Sequence, residues 1–286
     1  MLKQIFLSIL LSTSFLLTIY PFLKKFFIDI PEMRSSHIFP TPRGGGIVFG
    51  FMAFIGYLYY KSKLFLICLP LSLVGFIDDK VNLPRTFRLI AQVIFAIFLL
   101  NEENLFFEKL YLFEQPPFLI YLTALVSIVF IVAFINFANF LDGLDGLLSG
   151  CMAIAISVEA LLISPELFLI VGSIIAFLPW NWSPAKLFMG DSGSIFLGSI
   201  YIGYALSANS LAQFTGLILI VTPLWADALI CIIRRIKNNQ KIFDSHKLHL
   251  YQRLNQSGLS HAKVSLIYIL STFFISFSFL VFNTFF

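Results

Sequence analysis

Charge is scarce in this chain. Only 12% of its 286 residues are Asp, Glu, Lys or Arg, while 59% are hydrophobic. A soluble domain carries about twice that charged share, so a water-facing globular surface is excluded. Cysteine is scarce as well. Cys68, Cys151 and Cys231 all fall inside apolar stretches without metal-ligand spacing, as small hydrophobes in helix packing do. No Ser/Gly linker, low-complexity tract or clear internal repeat interrupts the chain, so residues 1–286 are expected to form one membrane domain. The basic residues are spread over short segments between apolar ones, which argues against nucleic acid as a partner.

Apolar sequence is what the chain has in abundance, including 35 Phe that read as lipid-facing and core bulk. A bilayer-crossing helix needs roughly 20 apolar residues. Ten apolar stretches can be marked, at 4–23, 45–60, 64–77, 89–100, 117–137, 146–163, 167–180, 194–207, 211–233 and 264–285. The first lacks a small-residue cleavage site and is expected to be a retained span. The expected fold is all-α and polytopic, with about ten transmembrane helices.

Ten spans make the connecting segments alternate between two sides. One side receives 24–43, 78–88, 138–145, 181–193 and 234–263, and with them 15 of the 19 basic residues; the other has Lys3, Lys61, Lys63 and Lys109. The positive-inside rule makes the first side cytoplasmic and turns both termini outward. All four His and the Gly-rich turns fall on that cytoplasmic side. Segments on one side of a bundle can converge on one site.

Five polar constellations lie there. The first runs from Asp29 to His37 and on to Pro40-Thr-Pro-Arg43-Gly44-Gly45-Gly46. Glycines opening a span allow close backbone approach, and free amides at a helix start suit phosphates. Tight helix packing and an anion-binding loop with Arg34, His37 and Arg43 are both open.

The second, Gly75-Phe-Ile-Asp78-Asp79-Lys80, closes the third stretch. Paired carboxylates at a membrane boundary are costly unless they bind a cation or move a proton. One of two adjacent acids has a raised pKa, which suits a base; a solvated helix end is the plain alternative. Arg85 and Arg88 follow and could face a lipid phosphate.

In the third, Asn136-Phe-Ala-Asn139-Phe-Leu-Asp142-Gly-Leu-Asp145-Gly146, Asp142 and Asp145 would share one face of a helical turn that Asn139 extends. Hard oxygens clustered this way suit Mg²⁺ and its phosphates. The fourth spans Trp180 to Ser194. Asp191 there precedes a span and can meet a metal, Phe188 could stack on a flat base, and Asn181 could hydrogen-bond a nucleotide.

The fifth comprises Asp227, Arg234, Arg235, His246, His249 and Arg253. Asp227 is an intramembrane acid, functional by default. His246 and His249, with Arg253 beyond them, would make one cationic helix face for a pyrophosphate. The two His lack a companion zinc ligand, and His261 is expected at the surface.

These stretches together resemble the polyprenyl-phosphate N-acetylhexosamine-1-phosphate transferases, relatives of the phospho-MurNAc-pentapeptide translocase. The matching residues are Gly-x-x-Asp78-Asp79, Asn-x-x-Asn139-x-x-Asp142-Gly-x-Asp145-Gly, Asn181-x-x-Pro-Ala-x-x-Phe-Met-Gly-Asp191-x-Gly-Ser and His246-x-x-His249-x-Tyr-Gln-Arg253. Arg-Ser-Ser-His37 and Pro-Thr-Pro-Arg43-Gly-Gly-Gly46 are similar to the O-antigen-initiating branch.

The resemblance implies a bacterial plasma-membrane enzyme. It would move a HexNAc-1-phosphate (GlcNAc or a 6-deoxy-HexNAc) from a UDP-sugar to undecaprenyl phosphate and release UMP, and a homodimer is compatible with it. It implies Mg²⁺, or Mn²⁺ in its place, on Asp191 with Asn139 or Asp142. Asp78 and Asp79 would handle the lipid phosphate, Asn181 and Phe188 the uridine, and His246, His249 and Arg253 the donor phosphates; Arg43 and Asp145 would complete the substrate set. In one place the chain departs from the pattern: Lys80, Asn82 and Arg85 stand where some members carry a third carboxylate or a Lys.

Two rivals fit less well. CDP-alcohol phosphotransferases want Ala-Arg soon after the first Asp-Gly, and here Leu144-Asp145-Gly146 follows. A transporter or flippase predicts ionisable groups near mid-bilayer, whereas these gather at one surface.

Overall fold

The computed structural model describes residues 1–31, 36–37, 39–102, 116–240 and 248–285. The described residues are mostly helical, in the order α1 (Leu2–Phe26), α2 (Ile47–Tyr60), α3 (Lys63–Val81), α4 (Arg85–Leu100), α5 (Pro117–Phe140), α6 (Leu147–Leu162), α7 (Phe168–Asn181), α8 (Asp191–Leu206), α9 (Leu211–Ile220), α10 (Thr222–Lys237), α11 (Leu250–Gln256) and α12 (His261–Phe285). Two strands of two residues each, β1 (Ile28–Asp29) and β2 (Thr41–Pro42), pair antiparallel with Asp29 opposite Thr41. That ladder returns the chain from the end of α1 to the start of α2.

Each apolar stretch becomes a helix, with one difference. The stretch at 211–233 is two helices, α9 and α10, bent by 73°. Pro223 stands in the first turn of α10, where its missing N–H costs nothing. Helices α1, α5 and α12 are long and apolar enough to cross a bilayer alone, and α9 with α10 qualifies only as a pair. Several of the expected spans are shorter. The 14 residues of α2 extend about 21 Å, less than a hydrocarbon core of about 30 Å.

The burial pattern accounts for the two kinds of helix. Helices α1, α5 and α12 present large apolar side chains outward, among them Phe6, Leu17, Tyr121, Val126, Phe274 and Phe277. Helix α8 is their opposite: every residue from Ser192 to Leu206 is buried. It packs along α3 and α5, while α1 lies along α7 and α12 along α6. Lipid offers no hydrophobic drive between helices, so close backbone contact has to supply packing energy. Gly46 at the start of α2 meets Gly193 in the first turn of α8 so tightly that a Cβ on either would collide with the other's backbone. The N-terminus of α8 is thereby fixed deep in the bundle.

Candidate active site

The centre of the site is the turn into α8. Gly190 precedes the helix with φ 73°, and the Asp79 carboxylate lies where a side chain would be. That positive φ and that close approach together require glycine. The approach lets Asp79, from the end of α3, accept hydrogen bonds from the amides of Asp191 at 2.9 Å and Ser192 at 3.1 Å. A carboxylate on the free amides of a first turn satisfies donors and meets the positive end of the helix dipole. Asp79 is therefore a cap as well as an acid, a role its sequence position beside Asp78 did not reveal.

Asp78 points the other way from the same turn. Its Oδ2 accepts from Arg88 Nη1 at 2.9 Å, and the same nitrogen lies 2.5 Å from Asp191 Oδ2. Arg88, from the first turn of α4, thus bridges acids from α3 and α8. Arg43 joins the cluster differently from expectation. Its Nε donates to the Asp79 carbonyl at 2.6 Å and its Nη2 to Asn82 Oδ1 at 2.9 Å. A cation on the last carbonyls of α3 holds the helix end in place, so Arg43 positions the Asp pair. The amides of Gly45 and Gly46 donate to the carbonyls of Phe188 and Met189 at 3.0 and 2.9 Å. Of the two readings left open for the triple glycine, helix packing is the one these two amides serve.

Asp142 and Asp145 do not share a helical face. The α5 helix ends at Phe140 and residues 141–146 form turns, which sends the two carboxylates apart. Asp142 accepts from the Gly190 amide and so joins Asp79 and Asp191. Burial and the neighbouring charges of Asp191 and Asp79 hold its carboxyl well above the usual carboxylate range. Asp145 turns to the Ala185 amide at 3.3 Å and to His261 Nδ1 at 3.2 Å. His261 is accordingly partly buried and paired, a correction to its expected surface position. Asn139 reaches the first turn of α8, where its Oδ1 accepts from Ser194 Oγ at 3.1 Å.

Asn181 also takes a different role. It is 3% exposed. Its oxygen accepts from Ser149 Oγ at 2.8 Å and the Gly146 amide at 3.2 Å, and its nitrogen donates to the Leu187 carbonyl at 3.2 Å. With its hydrogen bonds made internally, Asn181 ties the Asp142 turn to the loop before Asp191 and is not placed to read a uridine. Phe188 remains partly exposed, with His37 edge-on at 4.8 Å between ring centroids.

At the fifth constellation, Asp227 accepts from the amides of Leu250 at 2.7 Å and Tyr251 at 3.1 Å and from the Tyr268 hydroxyl at 2.7 Å. It docks α11 onto α10 and α12, so this intramembrane acid is structural. His249 does not lie within a helix face; it is the N-cap of α11, buried, with Nδ1 3.5 Å from Asp227. Arg253 is exposed on α11, and His246 lies outside the described residues. Tyr251 carries this unit to the Asp142 turn by donating to the Phe140 carbonyl at 2.9 Å.

Four carboxylates, those of Asp78, Asp79, Asp142 and Asp191, therefore meet at one end of the bundle with Arg88 between two of them. Among the described residues no three His, Cys, Asp or Glu form a group ready to hold a metal by themselves. The donor chemistry nonetheless fits a hard dication. Mg²⁺ is commonly held by one or two carboxylates and completes its shell with water and substrate phosphate, and Asp142 lies close enough to Asp191 here to feel its charge.

Residues 61–209 match the family described as glycosyl transferase family 4. The chain is 30% identical to a probable undecaprenyl-phosphate N-acetylglucosaminyl 1-phosphate transferase of Bacillus subtilis, over 97% of this chain and 85% of the relative. It is 29% identical to a decaprenyl-phosphate N-acetylglucosaminephosphotransferase of Mycobacterium leprae, over 84% and 73%. An undecaprenyl-phosphate alpha-N-acetylglucosaminyl 1-phosphate transferase of Thermotoga maritima is 31% identical, over 68% and 59%. With its acids, its glycines and its bundle arranged around the start of α8, the chain belongs to glycosyl transferase family 4, the polyprenyl-phosphate N-acetylhexosamine-1-phosphate transferases.

Proposed function

We propose that this membrane protein transfers N-acetylglucosamine 1-phosphate, or a 6-deoxy relative of it, from a UDP-sugar to undecaprenyl phosphate. The products are the undecaprenyl-diphosphate sugar and UMP, and the step would start a cell-envelope glycan such as O-antigen. The observation that carries the reading is the convergence of Asp78, Asp79, Asp142 and Asp191 on the buried first turn of α8. The acceptor's tail requires lipid, and outward-facing α1, α5 and α12 provide a lipid-exposed protein whose reactive end meets water. On the charge distribution, that end faces the cytoplasm of the bacterial cell.

An oxygen of the lipid phosphate attacks the sugar-side phosphorus of the donor. A P–O bond forms to the lipid as the P–O bond to UMP breaks. Direct attack suits a nucleophile that is already ionised. Asp78 and Asp79 hold the end of α3 where the acceptor would arrive, and either could take a proton from a monoprotonated lipid phosphate. Arg88, paired with Asp78 and Asp191, supplies a positive charge for phosphate. Phe188, partly exposed, offers a face to the uracil, and exposed Arg253 offers its guanidinium to the donor diphosphate. Bound Mg²⁺ would sit on Asp191 and Asp142 with Asn139 beside them, and would neutralise charge on the departing UMP phosphate.

The direct test is UMP release by the purified protein from a panel of nucleotide sugars with undecaprenyl phosphate and Mg²⁺. UMP should form with UDP-GlcNAc or a 6-deoxy analogue and stop on chelation of the metal. A folded protein that releases none across the panel would refute the assignment.

A further inference from the structure

The bridge made by Arg88 has a consequence for how the site is filled, and it rests on the metal reading above. A single nitrogen, Nη1, holds Asp78 Oδ2 at 2.9 Å and Asp191 Oδ2 at 2.5 Å. These acids come from the end of α3 and the start of α8, and Arg88 from the start of α4, so the guanidinium staples three helix ends at one point. A dication on Asp191 would stand within a few ångströms of that guanidinium, and like charges at such a distance repel strongly. Arg88 already does electrostatically what the metal would do: it places positive charge between carboxylates.

We infer that Arg88 is a placeholder that competes with the divalent cation for Asp191, and that substrate phosphate makes the exchange possible by drawing Arg88 away. In the resting enzyme Asp191 belongs to Arg88. A phosphate entering beside α4 gives the guanidinium a richer set of acceptors. Arg88 turns to it, Asp191 is released, and the cation takes the freed oxygen. Nothing in the step is covalent; the Arg88 pairs with Asp78 and Asp191 are exchanged for Arg88 on phosphate and Asp191 on the cation. Metal and phosphate then bind with positive coupling, each raising the affinity for the other by the same factor. Several features fit such mobility. The Arg88 side chain is 28% exposed, so it has room to turn, while Asp191 is fixed by the cap on its own amide. Asp78 keeps a second partner, the Leu83 amide, when Arg88 leaves. Arg88 would thus be a positioning residue that makes metal binding wait for substrate.

The test uses full-length protein in detergent with Mn²⁺ as the probe, its binding read by electron paramagnetic resonance. Wild type without substrate should bind Mn²⁺ weakly, and Arg88→Gln should bind it roughly tenfold more tightly. Arg88→Lys, which keeps the charge, should stay weak. Adding UDP-GlcNAc should tighten Mn²⁺ binding in wild type more than in Arg88→Gln. A melting curve checks that the variant is folded, and Arg88→Met serves as a second neutral replacement. Mn²⁺ binding that disappears in Asp191→Asn yet is equal in wild type and Arg88→Gln overturns the inference and leaves the metal reading standing. Mn²⁺ bound by neither protein, even with UDP-GlcNAc, overturns the metal reading and the inference with it.

Discussion

The two ends of α8 hold polar clusters built on opposite lines. At its last turns Tyr204 donates to Glu166 and shares a 3.0 Å hydrogen bond with Ser62, while Lys63 pairs with Glu102 at 3.4 Å nearby. Glu166 and Glu102 there are matched with a hydroxyl and a lysine. At its first turn Asp79, Asp142 and Asp191 crowd together, and Arg88 bonds Asp191 and the more distant Asp78. The far end shows how this bundle closes a polar cluster when only cohesion is at stake. The near end gathers acidic groups on the positive end of a helix dipole, at a point where glycine admits the carboxylate. Packing does not ask for that arrangement; phosphate and cation chemistry does.

Asp191 separates the two ends of α8 most sharply. Asp191→Asn keeps the side chain's shape and should lower UMP release by about 10³-fold, with an unchanged melting curve in detergent. A rate close to wild type would place the reactive end elsewhere. Gly193→Ala forces a methyl against the start of α2 and should cost about 1–3 kcal/mol of stability, seen as a lower melting temperature. Asp79 separates cap from chemistry. Asp79→Ala should lose about 1–2 kcal/mol of stability along with activity, whereas Asp79→Asn, which keeps one of the two acceptor oxygens, should recover part of that stability but none of the rate. The smallest effect belongs to the far end. Tyr204→Phe removes the hydrogen bonds to Glu166 and Ser62, so it should cost about 1 kcal/mol and leave UMP release per folded molecule unchanged.

Much of this was legible in the sequence, because apolar length and one-sided charge report the solvent directly. The ten stretches each found their helices, and the Asp-rich motifs lie together at one end. What the sequence did not reveal came from backbone geometry. Spacing put Asp142 and Asp145 on one helical face, but the chain turns at Leu141 and parts them. Asn181 looked like a donor for a base, yet its partners Ser149, Gly146 and Leu187 lie far apart in sequence and only the fold unites them. Asp227 looked functional because an intramembrane acid is costly; the two amides and hydroxyl that satisfy it come from α11 and α12. The Arg88 bridge has no local signature beyond a basic residue in the first turn of α4.

If phosphoryl transfer takes place at the start of α8, the fate of one phosphorus atom shows it. UDP-GlcNAc labelled with ³²P at the β-position is incubated with the purified protein, undecaprenyl phosphate and Mg²⁺, and the mixture is partitioned between butanol and water. Transfer of the sugar 1-phosphate carries the label into the lipid phase, leaves unlabelled UMP in the water, and fails in Asp191→Asn. Label that stays in the water as UDP while GlcNAc enters the lipid phase would mean transfer of the sugar alone, and would contradict the account.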